Sequence, residues 1–128
     1  MILALKSTFS SAHFYNQPAW DQTKNENTFG RCYTSHGHGH NYTLEVGFKL
    51  NPEDLSRKNE YLTTLTQLTT RLDHEHLNFV IPEFKNTVPT TENIALYFLD
   101  KLKSYYSEGE ISYIRLYEMD NLWTEIHL

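Results

Sequence analysis

The chain carries one cysteine in 128 residues, so no disulfide can close within it, and the lone thiol suits a reducing compartment and remains free for chemistry. It has no block of Lys and Arg, and its formal charge is −5, which leaves no footprint for a nucleic acid. No apolar run approaches the roughly 20 residues of a membrane span, and the apolar start at Met1-Ile2-Leu3-Ala4-Leu5 is too short for a signal core. A soluble cytoplasmic protein without nucleic-acid or membrane partners is expected. Repeats and low-complexity segments are missing as well, apart from a short Gly/His alternation. Apolar mass is plentiful: 39% of residues are hydrophobic, including nine Tyr, seven Phe and two Trp. That is enough for one core in one domain spanning 1–128.

Three of the seven histidines and the only cysteine fall within residues 31–42, Arg-Cys-Tyr-Thr-Ser-His-Gly-His-Gly-His-Asn-Tyr. The following Thr43-Leu44-Glu45-Val46-Gly47-Phe48-Lys49-Leu50 alternates polar and apolar residues, as a half-buried strand does. Extended backwards, the alternation places His40, His38 and His36 on the face of Tyr42 and Leu44, because strand side chains repeat every two residues. Same-face neighbours sit about 6–7 Å apart at the backbone, close enough for two imidazoles to converge on one ion.

In chain order, residues 1–15 read as a strand ending near His13, a lone histidine whose ordinary role would be structural. Residues 16–30 are polar, contain Pro18 and lack periodicity, which reads as a long loop. A second strand covers roughly 38–50. Asn51-Pro52-Glu53-Asp54 starts a helix, with Asn as cap and Pro in the first turn. Its apolar stripe is Leu55, Tyr61, Leu62, Leu65, Leu68 and Leu72, and its many threonines require packing against a sheet to hold it. Asp73-His74-Glu75-His76 follows, at what would ordinarily be a solvated helix end. After an irregular segment bracketed by Pro82 and Pro89, Thr90-Thr91-Glu92-Asn93 opens a second helix, with stripe Ile94, Ala95, Phe98, Leu102 and Tyr105. There Glu92 suits ordinary N-terminal chemistry. Residues 111–118 and 122–128 are strands joined by a turn. The order ββααββ predicts an α+β fold: a four-stranded antiparallel sheet with two helices on one face and two free edges open to oligomerisation.

His13, His38 and His40 together would make a three-histidine site. Zinc suits neutral imidazoles, and three protein ligands leave a fourth position for substrate. Three alternatives fit the same residues. His36 and His38 share the alternation; Cys32 as a ligand would close an inert structural site; and a flexible Gly/His loop could bind metal adventitiously. A cupin-type site is set aside, because Glu45 has the opposite strand parity and two helices occupy residues a jelly roll needs as strands.

Cys32 followed by His38-Gly39-His40-Asn41-Tyr42 resembles the signature of 6-pyruvoyl-tetrahydropterin synthases. The resemblance extends through Ala12-His13-Phe14, Leu72-Asp73-His74, Thr90-Thr91-Glu92-Asn93 and Tyr117-Glu118-Met119-Asp120-Asn121, touching almost the whole chain in order. It implies the tunnelling fold, in which ββααββ subunits join their sheets into a barrel. It also implies a homo-oligomer, a hexamer of two trimers, with active sites at subunit interfaces and one zinc ion (Zn2+) per subunit held by His13, His38 and His40. Cys32 would be the base, Asp73 and His74 an acid/base pair, and Glu118 the anchor of the pterin ring, helped by Thr90, Thr91 and Glu92. A cysteine beside a cation ionises below its free value of about 8.5, a carboxylate orients an imidazole, and a carboxylate accepts two bonds from an amino-pyrimidinone edge.

The implied reaction is loss of triphosphate from 7,8-dihydroneopterin triphosphate to give 6-pyruvoyl-tetrahydropterin. The sister enzyme, 6-carboxy-tetrahydropterin synthase of the queuosine (7-deazaguanine) pathway, takes the same substrate and releases acetaldehyde with triphosphate. His36 creates the shorter Cys32-x-x-x-His36-Gly37-His38 spacing of that branch beside the longer one, so both products stay open. A third reading, from a different class, is an oligomeric metal- or pterin-binding module without catalysis.

Overall fold

The structure is a computed structural model that describes residues 1–128. In chain order its elements are strand β1 (Ile2–His13), helix α1 (Gln22–Phe29), strand β2 (His38–Lys49), helix α2 (Lys58–Thr70), the two-residue strand β3 (Glu75–His76), the single-turn helix α3 (Leu77–Val80), helix α4 (Thr91–Lys103), and strands β4 (Ile111–Met119) and β5 (Leu122–His127). The fold is α+β. The sheet is mixed and five-stranded, in the order β3-β1-β2-β4-β5, with β3 parallel to β1 and every other pair antiparallel.

The period-two pattern decides which face is buried. Leu5, Phe9, Tyr42, Leu44, Val46, Phe48, Ile114 and Leu116 all lie in the core. Tyr61 and Leu65 of α2 cover this face, as do Ile94, Ala95, Phe98, Leu99 and Leu102 of α4. Aromatic contacts tie the layers together: Phe48 stacks on Tyr61 at 4.1 Å, Phe9 on Tyr42 at 4.9 Å, and Phe98 meets Phe9 edge-on at 5.5 Å. The threonines of α2 return their hydroxyls to the helix, Thr64 to Glu60, Thr66 to Leu62 and Thr69 to Leu65. Thr69 also reaches Ser7 of β1 at 2.7 Å, fastening the helix to the sheet.

On the helix-free face Glu45 is 4% exposed. Tyr113 donates to it at 2.8 Å, Lys6 pairs with it at 3.4 Å and Arg115 at 3.3 Å, while Arg115 also pairs with Glu125. Glu45 therefore points away from the histidines, as its parity requires. Tyr113 lies flat over Gly47, where a Cβ would stand 2.3 Å from its ring.

The structure corrects several sequence expectations. The stretch 16–30 is not wholly loop, since it holds α1. That helix lacks an apolar stripe because a buried polar side chain organises it. Asn25 bonds the carbonyls of Gln17, Trp20 and Asp21, and Asp21 caps the helix by accepting from Lys24 at 2.8 Å. The sheet has a fifth strand, because the turn after α2 is fastened to β1: Ser10 N–H donates to Asp73 at 2.8 Å and His74 N–H to Ser10 O at 2.6 Å. His74 takes the left-handed conformation there, at φ 58. The turn Pro52–Arg57 is 3-10, so Leu55 leaves the α2 stripe and is exposed. Tyr105 is exposed as well, its expected place in the core taken by Tyr106. No helix is long and apolar enough to cross a membrane.

Phe98→Ala should lower unfolding stability by about 3–5 kcal/mol in urea titrations, whereas Leu55→Ala should change it by less than about 0.5 kcal/mol.

Candidate functional site

The face that forms the core continues past Tyr42 into imidazoles. His13 ends β1 directly opposite His38, which begins β2, and His40 stands one same-face step on. Glu118 joins them from β4, two residues beyond Leu116 on the same face. One ligand atom from each of these four residues lies within 4.8 Å of the others.

His13 is fully buried and its orientation is fixed. Nδ1 is 3.0 Å from the carbonyl of Pro89, which can only accept, so Nδ1 carries the proton and Nε2 keeps its lone pair. The Tyr42 hydroxyl, 3.0 Å away, supports the same nitrogen. Nε2 of His13 lies 3.1 Å from Nε2 of His38. Burial, followed by the charges of His38 and His40, lowers the His13 pKa to about 3. Burial and His40 also lower that of His38. Both rings therefore favour the neutral form that ligates metals. Nε2 of His40 is 2.8 Å from Glu118 Oε1 but off the direction a hydrogen bond requires, and it has no hydrogen-bond partner.

The second Glu118 oxygen is held by the Thr91 hydroxyl, so the first faces the imidazoles. A tetrahedral ion about 2.0–2.1 Å from each nitrogen needs nitrogens about 3.4 Å apart. The donor set, three imidazoles and a carboxylate with the His13 Nε2 lone pair turned inward and His40 Nε2 without a hydrogen-bond partner, fits such an ion.

His36 stays outside this group. Gly37 breaks the alternation at φ 73, where a Cβ would stand 2.5 Å from the His13 carbonyl oxygen, and the chain turns so that His36 is exposed. The His36/His38 register is therefore not the one the fold assembles. Cys32 is also absent from the converging atoms. It closes the 3-10 turn Gly30–Cys32 after α1, and its carbonyl accepts from Tyr15 N–H at 2.8 Å. The thiol is half-buried and free.

Asp73 and His74 form a pair of their own, Oδ2 to Nδ1, at 2.8 Å. The Ser10 N–H, then His74, hold the Asp73 carboxyl below its usual range. The His74 ring is 85% exposed. No hydrogen bond joins this pair to Cys32 or to the histidine group, although His74 and His40 line one shallow groove of about 480 Å³. Thr90 caps α4 by accepting from Asn93 N–H at 3.2 Å, which places Thr91 and the exposed Glu92 in the helix's first turn.

Three participants were not singled out from sequence. Tyr42 and the Pro89 carbonyl orient His13; the parity of Tyr42 marks it, while nothing local marks a carbonyl 76 residues away. Tyr15 is the third, two residues past His13. Burial, then Glu118, Cys32 and Glu92, pushes its phenol well above the ordinary value.

A family model described as 6-pyruvoyl tetrahydropterin synthase matches residues 2–127. A 6-pyruvoyl tetrahydrobiopterin synthase from Drosophila melanogaster is 34% identical over 127 residues, covering 91% of this chain and 73% of its own. One from Homo sapiens is 32% identical, covering 89% and 82%. The solved 6-pyruvoyl tetrahydropterin synthase of Caenorhabditis elegans superposes with a TM-score of 0.87 at 28% identity, over 100% of this chain and 95% of that one. An uncharacterised Wolinella succinogenes protein, 15% identical with a TM-score of 0.67, shares the fold over 99% of this chain and 97% of its own.

In metal-free protein, His13 stays neutral to about pH 3 when folded but binds a proton below its ordinary 6.5 when unfolded. Its contribution to stability is therefore complete above pH 6.5 and declines as pH falls towards 3, by up to about 1.4 kcal/mol per pH unit. Urea midpoints of chelator-treated protein between pH 7 and 5 should show this slope, and His13→Gln should flatten it.

Proposed function

Because the chain belongs to the 6-pyruvoyl tetrahydropterin synthase family, we propose that it converts 7,8-dihydroneopterin triphosphate to 6-pyruvoyl-tetrahydropterin with loss of triphosphate. It is an enzyme, a lyase of the tetrahydropterin synthase type. The observation that carries the more specific reading is the convergence of His13, His38, His40 and Glu118, with the metal register that excludes His36. The curated relatives above, named as pyruvoyl-type synthases, favour that product over the 6-carboxy one.

His13, His38 and His40 would hold one zinc ion per subunit. Bound there, zinc supplies Lewis-acid polarisation of side-chain oxygens on the substrate. Glu118, steadied by Thr91, offers a carboxylate to the amino-pyrimidinone edge of the pterin, with Thr90 and Glu92 at the same helix start. Cys32 takes the proton from the substrate side chain. Asp73 accepts from Nδ1 of His74 and leaves Nε2 facing outwards to deliver and receive protons. Elimination of triphosphate then redistributes the side-chain oxidation level without a redox cofactor.

The lack of any hydrogen bond from Asp73 or His74 to Cys32 within one chain supports a site completed between subunits. So does the outer edge of β5, which pairs with no other strand. The assembly proposed is a hexamer of two trimers whose sheets join into a barrel.

Incubating the zinc-loaded protein with 7,8-dihydroneopterin triphosphate should yield triphosphate and a 6-pyruvoyl pterin. Acetaldehyde with a 6-carboxy pterin would transfer the chain to the sister reaction, and no triphosphate release would end the catalytic assignment. Cys32→Ala should retain zinc and oligomer while turnover falls by at least about 100-fold; loss of zinc instead would mean that the thiol is a ligand. By metal analysis, His40→Ala should lose zinc and His36→Ala should keep it.

A further inference from the structure

Tyr15 is fixed by contacts that make no use of its hydroxyl. Its backbone N–H donates to the Cys32 carbonyl at 2.8 Å. Its half-buried ring meets His13 edge-on at 5.0 Å and Phe29 at 5.5 Å. The ring is thereby wedged between a metal-ligand histidine and the turn that carries the thiol. The hydroxyl forms no hydrogen bond within the protein, and the ionisable groups whose charges reach it are Glu118, Cys32 and Glu92. These are the groups assigned above to the base and to the ring anchor.

A hydroxyl without a protein partner, on a ring held between His13 and the turn that carries Cys32, is free to bond an atom of the ligand. We propose that Tyr15 contacts the substrate, its hydroxyl donating a hydrogen bond to an oxygen of the hydroxylated three-carbon side chain of a reduced pterin. This rests on the functional reading above. The side chain, not the ring, is the target because the ring edge is taken by the carboxylates at the start of α4 and the end of β4. The carbon that gives up its proton must lie between Cys32 and the histidines, where Tyr15 stands. A phenolic hydroxyl carries a proton to donate, so it bonds that oxygen and leaves the proton transfer to Cys32.

Tyr15→Phe keeps the ring, both aromatic contacts and the backbone bond, so zinc content, oligomer and melting temperature should match wild type. On 7,8-dihydroneopterin triphosphate its kcat/KM should fall about tenfold. Binding is read separately by fluorescence titration of the zinc protein with neopterin, which carries the side-chain hydroxyls, and with pterin, which has no side chain. Neopterin should bind Tyr15→Phe about fivefold or more weakly, and pterin should bind it as it binds wild type. Unchanged turnover and unchanged neopterin binding would overturn the inference alone. Equal weakening of both ligands would also overturn it, because the hydroxyl would then serve the ring or the placement of neighbouring groups. A wild type that binds neopterin without turnover would refute the proposed reaction while the neopterin-to-pterin comparison still decided the role of Tyr15. A wild type that bound neither ligand would overturn both.

Discussion

The register between β1 and β2 is the constraint on which the rest of the molecule depends. Twelve consecutive pairings run from Ile2 opposite Lys49 to His13 opposite His38. The same alternation that sends Leu5, Phe9, Leu44 and Val46 into the core carries His13, His38 and His40 out along its end. A slip of one residue would expose the apolar set and scatter the imidazoles together. Core packing therefore fixes the positions of the imidazoles, and much of the cost of holding them falls on hydrophobic burial elsewhere.

What the sheet leaves open is settled by groups at its end. The Pro89 carbonyl selects which nitrogen of His13 stays free, and the start of α4 turns Glu118 towards the imidazoles through Thr91. Both lie on the segment leading into one helix, so that helix's cap at Thr90 orients two of the four converging residues at once. Burial makes the arrangement consequential, because it keeps the His13 imidazole neutral, with Nε2 turned towards His38.

Much of this was legible in the sequence where local periodicity coincides with the buried face. The two-residue alternation after His38 gave the strand, the face and two of the converging histidines; the Thr90-Thr91 start marked α4, while Asn51-Pro52 opened the 3-10 turn that leads into α2. Legibility failed wherever a polar side chain or a distant backbone group does the organising. Helix α1 is arranged around buried Asn25, so it has no apolar period to read. Strand β3 exists because Ser10 binds Asp73 and His74, a contact between residues more than sixty positions apart. His36 continued the pattern on paper, but left-handed Gly37 interrupts it in space.

The charged cluster around Glu45 has a consequence for how copies of this chain can meet. An apolar layer laid on the helix-free face would strip water from Lys6, Arg115 and Glu125 without offering them new partners. Face-to-face stacking of sheets, the route by which flat β-structure aggregates, is thus disfavoured. In-plane addition of a strand along the β5 margin meets no such penalty. The ion pairs act as a directional filter, favouring lateral growth of the sheet as the mode of contact and keeping the helix-free face wet.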